Sequence, residues 1–219
     1  AFLGVVAGGA TCAPLNPGYR TKELEFYLSD LQAKALIVQS GTDSEARLVA
    51  ESRGIAVIEL CPQRDAEAGL FALQSGITLS SANAEPARPD DLALLLHTSG
   101  TTARPKLVPL THANLVSSAS NVLAAFNLTS SDRSLNVMPL FHIHGLVASL
   151  LSSLMAGASV VCTPGFYAPE FFRWLEEFSP TWYTAVPTMH QAILARASSN
   201  AAAGHGRTCP NAISASTKR

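Results

Sequence analysis

Ala35-Leu-Ile-Val-Gln-Ser-Gly-Thr-Asp-Ser-Glu-Ala-Arg-Leu-Val-Ala-Glu-Ser-Arg-Gly-Ile-Ala-Val-Ile-Glu-Leu60 reads as a strand, a helix and a second strand in succession. Ala35–Val38 is a short apolar run, the pattern of a buried strand. Asp43–Arg53 has helical amphipathic spacing and stops at Gly54, a residue suited to the backbone just beyond a helix. Ile55–Leu60 is apolar again. A strand–helix–strand succession of this kind predicts a parallel sheet.

The same alternation extends outward. On the N-terminal side, Leu24, Tyr27, Leu28 and Leu31 predict a helix over Thr21–Gln32, with Thr21 as its cap. Pro62–Pro89 is polar and weakly periodic, a loop with at most a short strand at Gly76–Leu79. A strand at Asp91–His97, a helix at Thr111–Phe126 capped by Thr111, and a strand at Leu135–Met138 follow. Next come a helix at Phe141–Ala156, a strand at Ala158–Cys162 and an amphipathic helix at Ala168–Phe178. A strand at Trp182–Val186 and a helix at Pro187–Ala197, with proline in its first turn, complete the series. The predicted class is α/β, with parallel or mixed sheets flanked by helices. Ser198–Arg219, rich in Ala and Ser and without an acidic residue, reads as an irregular tail.

Composition narrows the function. The 219 residues carry 15 basic and 16 acidic side chains, a net charge of −1, which argues against a binder of nucleic-acid phosphates. With 47% apolar residues and only 14% charged, global disorder is excluded. Cys12, Cys61, Cys162 and Cys209 are too widely spaced for a zinc motif and read as free thiols. Ser134–Pro169 is free of charge, yet its prolines, glycines and histidines argue for a buried helix and strand over a membrane span.

Chemistry concentrates where the Asp91–His97 strand runs out into Thr98-Ser-Gly-Thr-Thr-Ala-Arg-Pro-Lys106. Thr98, Ser99, Thr101 and Thr102 set four hydroxyls around Gly100. Hydroxyls and backbone N–H groups in one turn make a donor surface for phosphate oxygens. Lys106 adds a compact positive charge able to follow charge onto a leaving phosphate. The loop is neither the lysine loop of P-loop nucleotidases nor a dinucleotide fingerprint. A hydrolase elbow of the Gly-x-Ser-x-Gly kind is absent, because Ser99 stands in Thr-Ser-Gly.

This string, extended through Leu107 and Val108, resembles the phosphate loop of the acyl-adenylate-forming ligases: Ser/Thr-Ser-Gly-Ser/Thr-Thr-Gly-x-Pro-Lys-Gly-Val. A second string, Met138-Pro-Leu-Phe-His-Ile-His-Gly145, also resembles that family, in the expected order. Thr181–Gln191 is most similar to the oxalate–CoA ligase branch, and Ala1–Pro17 resembles the family's upstream helix and strand. The resemblance covers residues 1–197 and implies part of the large N-terminal (adenylation) domain.

It also implies activation of a small carboxylic acid by ATP with Mg²⁺, as an acyl-adenylate, and transfer of the acyl group to coenzyme A. Thr98, Ser99, Gly100, Thr101, Thr102 and Lys106 are then expected to hold the β- and γ-phosphates. His142 is expected beside the acyl carboxylate and His144 along the acyl pocket. His97, His112 and His190 are expected to pack, cap or hydrogen-bond.

Two positions depart from the family, Ala103 and Leu107 standing where glycine is common. Adenine- and ribose-binding motifs, an acidic Mg²⁺ partner, the hinge and the C-terminal adenylation lysine are not found in the 219 residues. The expectation is therefore a fragment of a ligase, inactive alone, the alternative being a remnant that only binds nucleotide or a partner. Oligomeric state, compartment (cytoplasmic or peroxisomal) and the particular acid stay open.

Overall fold

The structure is a computed structural model, and it describes residues 1–76, 86–98 and 105–202. The chain divides into two compact units, Ala1–Pro109 and Leu110–Arg219.

In the first unit, α1 (Phe2–Ala7) precedes α2 (Thr21–Asp30), β1 (Ala35–Gln39), α3 (Glu45–Ser52), β2 (Ala56–Pro62) and β3 (Phe71–Ser75). The opening stretch folds as the sequence predicts: β1 and β2 pair in parallel, Ala35 opposite Ala56. Gly54 takes φ +67° just after α3, a backbone conformation that a side chain disfavours. Leu24 and Leu28 of α2 bury themselves against Val49 and Ala50 of α3, with Leu36 and Val57 of the two strands beneath.

Three details differ from expectation. The cap of α2 is Arg20, whose N–H donates to Glu23 Oε2 at 2.9 Å, while Thr21 binds Glu45 at the start of α3 through both its N–H and its hydroxyl. Strand β1 is only half-buried. Residues 77–79 of the strand expected at Gly76–Leu79 lie outside the described residues, and the stretch expected to be a loop holds strand β3, antiparallel to β2. That makes the sheet β1-β2-β3 mixed.

Strand β4 (Leu92–Thr98) buries Ala93 and Leu94 completely. It also bridges Cys12 in parallel, through Cys12 N–H to Ala93 O and Leu95 N–H to Cys12 O, both 2.9 Å. It pairs with β5 (Lys106–Thr111), a strand absent from the sequence expectation because it contains Pro109. Proline lacks the N–H that a central strand must donate, so it is tolerated where the strand is at an edge. Leu107 lies in this strand, 38% exposed and outside the positive-φ residues, so its bulk strains no backbone there.

The second unit opens with α4 (His112–Phe126), whose predicted cap is observed: Thr111 Oγ1 accepts from Asn114 N–H, and Asn114 Oδ1 accepts from Thr111 N–H. Next come β6 (Arg133–Asn136), a π-helical segment (His144–Leu151) continuing into α5 (Ser152–Met155), β7 (Ser159–Cys162), α6 (Ala168–Phe178), β8 (Trp182–Thr184) and α7 (Pro187–Ala202). The helix predicted from Phe141 thus starts three residues later and is wound as a π-helix. Buried Ser152 and Ser153 donate to the carbonyls of Ala148 and Ser149 at 2.6 and 2.7 Å, bonds that compete with the α-helical ladder. Helix α7 runs past its predicted end, so the tail expected from Ser198 begins inside a helix; 203–219 lie outside the described residues.

The sheet order is β7-β6-β8, all parallel. Alternation along β6 sends Leu135 to one face, against Phe171 and Trp174 of α6 and Ile193 of α7. Ser134 goes to the other face, where its hydroxyl meets that of Ser149 in the π-segment at 3.0 Å. The helix after β6 and the helix after β8 therefore pack on opposite faces of two neighbouring parallel strands. That is a topological switch point, and such a sheet leaves a crevice there, outside the carboxyl ends of its strands.

Candidate functional site

Each of the two sequence motifs falls at a strand end. Of the predicted phosphate-loop residues, Thr98 is the exposed last residue of β4 and Lys106 the exposed first residue of β5. Ser99, Gly100, Thr101 and Thr102, together with Ala103, lie outside the described residues. The strand pair forms the stem from which the loop leaves.

That stem is anchored by His97. Its side chain is 5% exposed, and Nε2 lies 2.9 Å from Asp30 Oδ2 at the end of α2. Tyr27 meets the imidazole edge-on with centroids 4.7 Å apart and stacks on Tyr19 on its other side. Burial, followed by a hydrogen bond with Tyr27 that favours the protonated phenol, pushes the Tyr19 pKa up to about 12. The packing role expected of His97 is what its surroundings provide. Asp30 was not singled out from sequence, because 67 residues separate it from its partner.

The second motif leaves β6 and turns back into the π-segment. Met138 N–H donates to Asn136 Oδ1 at 3.1 Å and His142 N–H to Pro139 O at 3.2 Å. Gly145 closes the turn: a Cβ there would lie 2.8 Å from Met138 O and nearer still to Pro139 O. Only a hydrogen side chain lets the π-segment approach this closely. His142 is exposed, its ring tilted on Phe141 with centroids 4.6 Å apart.

His144 is half-buried, and its Nε2 lies 2.7 Å from Thr184 Oγ1. Burial lowers the His144 pKa below 6.5, favouring the neutral imidazole. Thr184, the last residue of β8, was missed in the sequence. The expected strand runs on to Val186 and puts Thr184 in its interior, whereas the observed strand ends at Thr184, beside the switch point. The motif thus brings His144 beside Thr184 at the carboxyl end of β8. His190, on α7, meets Tyr183 Oη at 3.2 Å and stays outside this pair.

No helix among the described residues is long and apolar enough to cross a membrane. Among them, no group of three or more His, Cys, Asp or Glu side chains is placed to hold a metal ion.

Known proteins resemble this chain in sequence and in fold. The chain is 45% identical over 202 residues to an oxalate–CoA ligase of Arabidopsis thaliana, covering 91% of this chain and 39% of the relative. ATP-bound MatB from Rhodopseudomonas palustris superposes with a TM-score of 0.71 at 28% identity, covering 88% of this chain and 37% of that one. A malonyl-CoA ligase with methylmalonyl-CoA and AMP bound gives 0.73 at 25% identity, covering 91% and 39%. The chain therefore spans well under half the length of the proteins it resembles. The profile of the AMP-binding enzymes matches residues 1–215. Because that match takes in nearly all of both units, the chain belongs to the AMP-binding enzyme family.

Proposed function

We propose that the protein carrying this chain is an AMP-forming acid–CoA ligase acting on a small carboxylate, with oxalate the first candidate. A carboxylate oxygen attacks the α-phosphorus of ATP, the bond to the bridging β-phosphate oxygen breaks, and pyrophosphate leaves. The thiol of coenzyme A then adds to the acyl carbonyl of the adenylate, AMP departs with the bridging oxygen, and the thiol proton passes to solvent or base. The observation that carries this reading is the stem: β4 ends at exposed Thr98 and β5 begins at exposed Lys106, with the hydroxyl-rich motif between them.

Hydroxyls and N–H groups of Thr98, Ser99, Gly100, Thr101 and Thr102 hold the β- and γ-phosphates. Lys106 follows the charge that grows on pyrophosphate as it leaves. His142 stands by the reacting carboxylate and His144 lines the acid's pocket. Mg²⁺ bound with the nucleotide would offset part of the phosphate charge. Identity to the oxalate–CoA ligase supports the choice of acid.

The test is carboxylate-dependent exchange of pyrophosphate into ATP. Lys106→Ala is expected to lower oxalate-dependent exchange by about 100-fold or more, the scale of losing a charge-stabilising donor. Full exchange in that variant overturns the assignment of the loop. In the 219-residue chain itself, pyrophosphate binding that weakens in Lys106→Ala is expected; binding without exchange there marks it as the phosphate-holding part of a longer enzyme.

A further inference from the structure

We propose that Thr184 is a positioning residue that sets the tautomer of His144, so that the imidazole offers an N–H to a second oxygen-bearing group of the acid. The inference rests on the reading above, in which His144 lines the acid's pocket.

The two side chains come from adjacent strands. Thr184 ends β8, and His144 opens the π-segment that follows β6. Their 2.7 Å contact bridges the switch point. A neutral imidazole has one donor nitrogen and one acceptor, and a threonine hydroxyl has a single proton. Burial favours that neutral form. When Thr184 donates to Nε2, the ring proton must sit on Nδ1; when Thr184 accepts, Nδ1 becomes an acceptor. A carboxylate accepts only, so it binds the first arrangement and is repelled by the lone pair of the second.

Nδ1 is available for such a contact. Among the described residues, Trp182 Nε1 is the buried side-chain nitrogen or oxygen left without a hydrogen bond. His144 is half-buried and its hydrogen bond among the described residues is made by Nε2, which leaves Nδ1 for a ligand. The oriented N–H selects for chemistry: an acid with an oxygen beyond its reacting carboxylate pairs it, whereas an alkyl acid leaves it unpaired. Sites built around a hydrogen bond discriminate strongly against partners that lack it.

The experiment compares Thr184→Val, which keeps shape and removes the hydroxyl, with Thr184→Ser, which restores it. In the ligase carrying this chain, Thr184→Val is expected to lower kcat/KM for oxalate by about 10- to 100-fold, and for acetate by less than about threefold. KM for ATP stays unchanged, and Thr184→Ser recovers most of the loss. Nitrogen-15 NMR of His144 in the 219-residue chain should show Nδ1 protonated and Nε2 unprotonated, a preference that weakens in Thr184→Val.

Equal losses for oxalate and acetate, failure of serine to rescue, or a protonated Nε2 in the unmodified chain overturns the inference. If the unmodified ligase activates no acid at all, it is the function proposed above that fails. The NMR result on the unmodified chain decides the tautomer independently of any variant.

Discussion

The imidazole of His144 is half-buried, and its Nε2 meets a hydroxyl; that of His97 is nearly enclosed and meets a carboxylate. The same residue type therefore does different work in the two places. His97 gains an acceptor and an edge-on tyrosine, and so fastens β4 to the end of α2. Among the described residues His144 meets a hydroxyl and not a carboxylate, and burial lowers its pKa below the ordinary 6.5. The consequence for stability has a definite sign. Below pH 6.5 the unfolded chain binds this proton more readily than the folded one, so acid favours unfolding. The stabilising difference is fully present above pH 6.5 and is lost as pH falls through the lower, folded value. Urea midpoints measured from pH 8 to pH 5 should fall with acid in the parent chain and fall less in His144→Gln. Parallel curves would show that His144 carries no linked proton.

At the scale of elements, the turn between β6 and the π-segment depends on close backbone approach. Gly145→Ala places a methyl against the carbonyls of Met138 and Pro139, backbone that cannot swing aside as a side chain can. The expected destabilisation is about 1–3 kcal/mol by urea unfolding, the usual range for overpacking. Exchange activity should fall at least about tenfold, because the same turn carries His142 and a displacement of roughly 1 Å is enough to misplace a reacting group. Unchanged stability and activity would mean that the turn relaxes freely.

This turn also shows where sequence reading stops. Strand–helix–strand alternation, the cap at Thr111 and the helix Ala168–Phe178 were legible because short-range periodicity and capping chemistry decide them. The π-winding was not, since buried serine hydroxyls that look polar in sequence are satisfied by backbone carbonyls one turn earlier. Strand β5 was hidden by Pro109, which reads as a breaker until its edge position is known. For the candidate site, both motifs stand out in residue order, while Asp30 and Thr184 do not. Each is an ordinary residue made important by a neighbour far away in the chain, His97 and His144 respectively.

Across the whole molecule, each unit has its own core. Leu24, Leu28, Val49 and Ala50 form that of the first; Leu135, Val137, Phe171, Trp174 and Ile193 form one in the second. Both tryptophans of the chain, Trp174 and Trp182, belong to the second unit. Tryptophan fluorescence therefore reports that unit's packing. Phe171 is 1% exposed and packs edge-on against Tyr183 at 5.0 Å, so Phe171→Ala removes the centre of that core. The expected loss is about 3–5 kcal/mol in the tryptophan-detected urea transition. Leu28→Ala empties a site in the other core and should appear as faster hydrogen exchange in the amides of α2 and α3. Its effect on the tryptophan transition is expected to stay under about 1 kcal/mol, because separate cores open as separate cooperative units. Equal shifts of the tryptophan midpoint in both variants would show that the two units unfold as one block. In that case any substitution that weakens either core would also loosen the β4–β5 stem of the proposed phosphate loop.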